Sequence, residues 1–277
     1  MKEYLAEFLS DPRVVKLPRW LWLPILHGIV LRTRPAKSAH KYSKIWMPEG
    51  SPLAVHTVRQ AALLQEKLGI PVRYAMRYGQ PTILSALRDL VEPCVIPLYP
   101  QYAESATASV ADVVPPGVPM LDSFHDHPAY IDALAAGARR HWQARGRGER
   151  LVMSFHGLPQ KGSERYETEC RTTARLLADD LKTEYMVTFQ SRFGYAAWLQ
   201  PYTEQTLVGL ARAGQQRVDV VCPGFVSDCL ETLEELGIGA RRAFLGAGGR
   251  EFYLASCLNE SPEWIEALAE ISRAKNS

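Results

Sequence analysis

The sequence predicts an α/β protein built on parallel sheets, and three observations carry that expectation. Short apolar runs alternate along the chain with amphipathic helical patterns, the order of repeated βα units. Several runs are continuously apolar rather than alternating, as strands covered on both faces are. The 277 residues are 47% hydrophobic and 22% charged, an ordinary globular mix with enough chain for one large or two modest domains.

The longest uncharged stretch near the start is WLWLPILHGIVL, residues 20–31. It is about half the length a bilayer crossing needs. It lacks the cationic start and small-residue cleavage site of a signal peptide. It reads either as a core helix or as an apolar lip that touches a membrane or a greasy ligand. Residues 54–68 place Ala61, Leu64 and Leu68 on one face of a helix. Strands are expected at 72–76, 93–98 and 120–124, then a helix at 130–142. RGRGER, ending at Arg150, marks a domain boundary. Beyond it, strands are expected at 151–155, 185–189, 218–222 and 252–257. Helices are expected at 168–181, 203–213, 228–236 and 262–274, the last with Ser261 as N-cap and Pro262 at its first position.

Lys and Arg number 32 against 30 Asp and Glu, a net charge of +2, too balanced to point at nucleic acid. Arg139, Arg140, Arg145, Arg147 and Arg150 read as a solvated helix end, where cations suit the helix dipole. Five cysteines, with no CxxC pair, indicate neither a disulfide framework nor a zinc ribbon. A reducing cytoplasm is the simplest home for such a chain.

Two segments carry candidate chemistry. LVMSFHG places His156 and Gly157 at the carboxyl end of an apolar run, where open parallel sheets bind ligands. A histidine there serves as base or metal ligand, or is satisfied by a loop carbonyl. In CPGFVSDCLETLEE, Asp228 and Glu231 have the spacing of a capping box, so Glu231 either caps a helix or points into the cleft above the sheet. Paired with His156, its carboxylate suits a borderline divalent ion such as Fe(II), and equally suits proton transfer. FHDHPAYI resembles a metal motif but reads as structural, with Pro128 in the first turn of a helix and Asp126 or His127 as its cap. FLGAGGREF precedes a strand pattern and so fails as a phosphate loop. YPQYAESATAS offers Tyr99, Tyr102, Ser105 and Thr107 at a strand exit, suited to a flat ligand or to an ordinary loop.

Taken together, YLAEFLSDPRVV, KYSKIWMPEGSPL, YAMRYGQP, PLYPQY, FHDHPAYIDALA, LVMSFHGLP, VTFQSRFGYAAWLQPYT, CPGFVSDCLETLEE and LNESPEWI resemble the ferrochelatases. These enzymes insert ferrous iron into a porphyrin, the last step of protoporphyrin-dependent haem synthesis, and the likeness is closest to the proteobacterial form. The resemblance covers nearly the whole chain. It implies two similar doubly wound parallel-sheet domains with a porphyrin cleft between them. Here these are residues 1–148 and 149–261, with helix 262–274 returning to the first. It implies His156 and Glu231 as the catalytic, metal-binding pair. Arg34, Tyr42 and Ser51 match the family's porphyrin contacts, and Tyr99 and Tyr102 are added to them from the PLYPQY segment. Residues 20–31 resemble the apolar lip of the porphyrin mouth. Fe(II) is implied as substrate, with no organic cofactor. The [2Fe–2S] cluster of some members is not expected, because only Cys257 lies near the end. The partners implied are a porphyrin, ferrous iron and, through the lip, a membrane surface. The location implied is the cytoplasm, peripheral to the inner membrane.

Three departures from the family stand out. The chain opens at the YLAEFLSDPRVV helix, without the strand and NLGTP-like turn that the family places before it. ASVADVVPPGV, residues 108–118, is too short for the helix expected there, and Ala103 and Ala106 replace hydroxyls. Loss of an interior first strand would expose neighbouring sheet edges. Besides a ferrochelatase, the sequence therefore admits a non-catalytic porphyrin- or haem-binding relative, or a chelatase for another tetrapyrrole or metal.

Overall fold

A computed structural model of the chain describes residues 1–192 and 196–275. Phe193, Gly194 and Tyr195 of the VTFQSRFGYAAWLQPYT segment lie outside the described residues. The chain runs through α1 (Lys2–Ser10), α2 (Arg19–Ile25), a π-helical segment (Leu26–Val30), α3 (Leu31–Ser43), α4 (Pro52–Leu68) and α5 (Ile83–Leu87). A second π segment (Glu104–Ala108), α6 (Ser109–Ala111) and α7 (Pro128–Arg145) follow. Then come β1 (Leu151–His156), α8 (Glu164–Leu181), β2 (Tyr185–Gln190), α9 (Thr203–Arg212) and β3 (Arg217–Val221). The chain ends with a third π-helix (Glu231–Ala240) that continues into α10 (Arg241–Gly246), β4 (Glu251–Leu254) and α11 (Pro262–Lys275).

The sheet is parallel throughout, in the order β2-β1-β3-β4. Alternate side chains of β1 face opposite cores. Leu151, Met153 and Phe155 pack with Cys170, Leu177 and Phe189 on the α7–α8 side. Val152 packs with Leu207, Leu236 and Phe244 on the α9–α10 side. Both faces are thus covered, which is why β1 reads as an apolar run. Its one buried hydroxyl, on Ser154, is bonded to Gln190 and Thr203. The chain leaves β1 toward β2 and returns to the other side of β1 for β3, so the carboxyl ends of β1 and β3 flank a crevice.

In the C-terminal half all four expected strands form, although β4 ends at Leu254, short of the expected 257. The three expected N-terminal strands do not form. Segments 72–76, 93–98 and 120–124 pair only at single parallel bridges, Met76 with Thr82 and Val95 with Met120. Val95 N–H donates to Pro119, and Leu121 N–H donates back to Val95. Pro93, Pro97, Pro100 and Pro119 have no N–H to extend the ladder. The Val72 and Met76 amides bond instead to Gln65 and Pro81. The short 108–118 stretch holds only α6 and turns. RGRGER is no loose linker, because Gly148 N–H donates to buried Asp219 and Arg217 bonds the Arg145 and Gly146 carbonyls. The C-terminal helix α11 packs on α7 and α4, with Trp264 fully buried against Phe124 and Tyr130. Its first residue is Pro262, but the Ser261 hydroxyl has no hydrogen-bond partner, so only the Ser261 carbonyl serves the helix start.

Asp11, 6% exposed, anchors the N-terminal arm. Its carboxylate accepts from Arg77 at 2.7 Å, Tyr78 at 2.8 Å, Ser109 at 2.6 Å and the Arg13 N–H at 2.7 Å. Burial alone would raise its pKa, but these hydrogen bonds and the Arg77 charge outweigh it and hold the carboxyl below its ordinary value. An acid held down in the fold stabilises above its unfolded pKa, and that stability is lost as pH falls through the folded pKa. Asp11→Asn is expected to cost about 2–3 kcal/mol at neutral pH in urea denaturation, because it leaves Arg77 uncompensated. The gap from wild type should narrow below about pH 4; a gap that persists undiminished into acid would show that the carboxylate charge is not what is lost.

Candidate active site

His156 ends β1 at the crevice. Its Nδ1–H donates to the Gly157 carbonyl at 2.6 Å, which leaves the Nε2 lone pair for a proton or a metal. The loop-carbonyl partner foreseen for this histidine is therefore present, and it sets the tautomer while one nitrogen stays available. Gly157 is required where it stands: a Cβ there would lie 2.5 Å from the Gln190 carbonyl that its N–H meets at 2.8 Å. Gln190, buried at the end of β2, spans the site. Its Oε1 accepts from Ser154, and its Nε2 donates to the Glu231 carbonyl at 2.9 Å. The strand that carries His156 and the helix that carries Glu231 are thus held through one side chain.

The capping box expected of Asp228 and Glu231 is not made. The helix begins later, at residue 230, so the third-position role falls to Thr232, whose Oγ accepts from the Cys229 N–H at 3.0 Å. Asp228 instead accepts from Thr232 and from Asn259, at 3.0 and 2.7 Å. With the cap supplied by others, the Glu231 carboxylate is not used to close the helix start. Its charge is felt by the Tyr42, Tyr99 and Tyr4 phenols and by Cys229.

Glu231 opens a ten-residue π-helix. With i→i+5 bonding and roughly 4.4 residues per turn, positions i and i+4 lie nearly in line. Glu235 therefore follows Glu231 along the same face. Its carboxylate accepts from the Ser191 N–H at 2.7 Å and from the Ser191 hydroxyl at 2.6 Å. Burial pushes the Glu235 carboxyl up and Glu231 adds to this, while the Ser191 bonds and nearby His156 oppose. One acid thus senses both members of the expected pair. Phe225 walls the site, its ring centroid 6.5 Å from that of His156.

Of the expected porphyrin contacts, two come to Glu231. Burial and the Glu231 charge push the Tyr42 phenol up to about 12. The Tyr99 phenol is likewise raised by burial and by Glu231, against the pull of Arg77. Arg34 is exposed on α3, two turns before Tyr42. Ser51 caps α4, its hydroxyl accepting from Ala54 N–H at 3.4 Å. Tyr102 is turned to another element, its ring 4.0 Å beneath the Arg165 guanidinium. In FHDHPAYI, α7 starts at Pro128 as expected, but His127 caps it without a side-chain bond. Among the described residues no three His, Cys, Asp or Glu side chains converge as metal ligands. Glu235 and Gln190 were missed by sequence reasoning. The first had a signal in its i+4 spacing from Glu231, and the π-helix had one in Gly237 and Gly239, two poor helix formers inside a helix.

On the 20–31 stretch, Leu26 and Leu31 are buried against Leu5 and Leu9, while Trp20 and Ile29 are 78% and 62% exposed. The stretch is thus part core and part exposed apolar surface. No helix among the described residues is long and apolar enough to cross a membrane.

A switch-point crevice in a parallel sheet, with a histidine on one lip and carboxylates on the other, defines a protein of the chelatase class. Two solved structures share the fold. One is CbiX, the terminal enzyme of siroheme biosynthesis in denitrifying bacteria, with TM-score 0.57 and 18% identity over 81% of this chain and 94% of that one. The other is SirB from Bacillus subtilis with Fe3+, with TM-score 0.57 and 17% identity over 82% and 92%. Residues 1–276 match the model of the ferrochelatase family. Ferrochelatases of Polaromonas sp. strain JS666 and Azoarcus sp. strain BH72 are 54% and 53% identical, over 98% and 99% of this chain and 81% and 82% of theirs. That of Bordetella pertussis is 50% identical over 98% and 82%. The chain belongs to the ferrochelatase family, metal chelatases of haem biosynthesis that act on ferrous iron and a porphyrin. The first of these alignments runs over 297 positions against 277 residues, so the relative has internal residues with no counterpart here.

Proposed function

We propose that the chain inserts Fe(II) into protoporphyrin IX to give protohaem, with His156 and Glu231 as the catalytic and metal-binding pair. The observation that supports the assignment to these residues is Gln190, which is paired in register with His156 and bonded through its side chain to the Glu231 carbonyl. Metalation exchanges two pyrrole protons for one Fe(II). His156 Nε2 accepts a proton on the strand side of the ring. Glu231 offers negative charge to the incoming metal, and the Glu235 carboxylate, whose pKa burial raises, takes up the second pyrrole proton. The ring must bend to expose its nitrogens, and contacts at its periphery supply the energy for that distortion. Tyr42 and Tyr99 offer flat apolar walls with hydroxyl rims, and Arg34 a bidentate partner for a propionate. Ser51 and Tyr102, engaged elsewhere, act at the margin. The iron is substrate; the reaction as written needs no organic cofactor and no iron–sulfur cluster. The division into domains 1–148 and 149–261 fits a crevice bordered by α3 and the π-helix. The exposed Trp20 and Ile29 suit a peripheral contact with the inner membrane from the cytoplasm.

The unpaired N-terminal segments favour a second reading, a porphyrin- or haem-binding relative without activity. One assay separates the two: incubate the purified chain anaerobically with protoporphyrin IX and Fe(II), and follow haem formation. Turnover supports the enzyme; porphyrin binding without turnover supports the carrier.

Arg34→Ala is expected to raise the porphyrin KM about tenfold with a smaller fall in kcat, because a lost propionate contact is mostly uniform binding, worth about 1.5–3 kcal/mol if desolvated. An unchanged KM in steady-state kinetics would remove Arg34 from the cleft.

A further inference from the structure

The N-terminal arm has a small core of its own, Leu5, Leu9, Leu26 and Leu31, drawn from α1, α3 and the segment before α3. It meets the rest of the molecule through the edge-on packing of Phe8 against Tyr78 and through polar contacts. Asp11 holds it to Arg77, Tyr78 and Ser109, and Arg13 and Lys16 pair with Asp112 and Glu104. At its far end the arm reaches across to the C-terminal half. Lys41 Nζ lies 3.0 Å from Glu234 Oε2, and Lys44 Nζ lies 3.3 Å from Glu234 Oε1. Each carboxylate oxygen has its own ammonium group. The Glu234 side chain is only 10% exposed, while the two lysine side chains are 53% and 37% exposed.

The location gives this cluster its consequence. Glu234 stands in the π-helix three residues after Glu231 and one before Glu235. Lys41 and Lys44 flank Tyr42 at the end of α3, the helix that also bears Arg34. The two elements joined here therefore carry the two sides of the site described above: porphyrin contacts on one, metal-side carboxylates on the other. On a π-helix Glu234 lies off the Glu231–Glu235 line, so it grips the neighbouring helix while those two serve the cleft. A helix with so little core beyond the arm needs a tether to keep its cleft-facing side chains in register, and an enclosed carboxylate with two cations is one.

Resting on the ferrochelatase reading, we propose that Glu234 is a positioning residue: its double ion pair with Lys41 and Lys44 holds α3 against the π-helix and so preorganises the porphyrin side of the cleft over Glu231. Loss of the pair makes porphyrin binding bear the cost of ordering α3, while a bound ring still meets an intact His156 and Glu231. The effect falls on affinity rather than on the chemical step.

The test compares wild type with Glu234→Gln and with Lys41→Gln/Lys44→Gln, the latter altering two side chains with exposed ends should the buried site tolerate change poorly. Porphyrin Kd is read by fluorescence quenching, and KM and kcat by iron insertion. Both variants are expected to raise Kd and KM together by about fivefold, with kcat within about twofold of wild type. The wild-type Kd should weaken with added salt more steeply than that of either variant. The reversal Glu234→Lys should weaken binding further, and adding Lys41→Glu/Lys44→Glu to it should recover most of the loss, which a merely structural glutamate would not produce. An unchanged Kd in the double-lysine variant, or a reversed pair that fails to recover, overturns the proposal. Because Kd is measured without turnover, a wild-type chain that binds porphyrin but inserts no iron defeats the catalytic reading and leaves this test standing.

Discussion

His156→Ala is expected to lower iron insertion by at least about a thousandfold while porphyrin affinity stays within roughly tenfold of wild type. On the proposed reading the imidazole serves the chemistry rather than the fold. Its ring ends β1 at the crevice, and its one hydrogen bond runs to the carbonyl of the very next residue. What the fold needs from position 156 is backbone. Tyr166 donates to the His156 carbonyl at 2.9 Å, and the residue stays in register with Gln190. Alanine keeps both. The variant loses a group able to take a pyrrole proton or ligate the metal at neutral pH, worth about 10²–10⁴ for a general base alone. Thermal melting should move little, and fluorescence quenching should report near-normal porphyrin binding. Near wild-type haem formation in that variant would mean that proton and metal pass elsewhere.

The C-terminal half was legible because its strands are covered on both faces, so Leu151 to Phe155 announce themselves as an apolar run. The same signal at 72–76, 93–98 and 120–124 misled, because apolar patterning reports which side chains avoid water and says nothing of whether a neighbouring backbone offers a ladder. Pro93, Pro97 and Pro119 were the visible warning. His156 was legible because strand ends are marked in sequence by an apolar run followed by glycine. For Glu231 the sequence leaves a cap and a cleft role open, and the box behind the cap role moves one residue on, to Cys229 and Thr232, because the helix begins at residue 230. Glu235 escaped although its i+4 spacing puts it on the Glu231 face, because nothing in CLETLEE shows that Ser191, from a distant loop, would meet its carboxylate. The tether at Glu234 was beyond sequence reasoning, since its lysines lie 190 and more residues away in the chain.

Glu231→Gln is expected to lower kcat by about a hundredfold or more, with thermal stability close to wild type. Two roles were open for this side chain, and they predict opposite patterns. A capping glutamate replaced by glutamine keeps an amide oxygen, so a cap role predicts full activity and a stability loss under about 1 kcal/mol. A cleft carboxylate predicts the reverse, because the amide cannot carry the charge that meets Fe(II) or take up a proton. The structure favours the second, since the cap donor at Cys229 is already met by Thr232, and Asp228 is occupied by Thr232 and Asn259. The bond from the Gln190 side-chain amide to the Glu231 carbonyl is untouched by the substitution, so the helix start should hold its place. A further signature follows from the phenol beside it. Burial and the Glu231 charge both raise the Tyr42 pKa, so removal of the charge should lower the pH at which this tyrosine ionises from about 12. Ultraviolet difference titration of the variant against a Tyr42→Phe control reads that shift directly. Paired melting and turnover measurements on one preparation decide the main question: early melting with normal turnover would make the carboxylate structural and dissolve its partnership with His156.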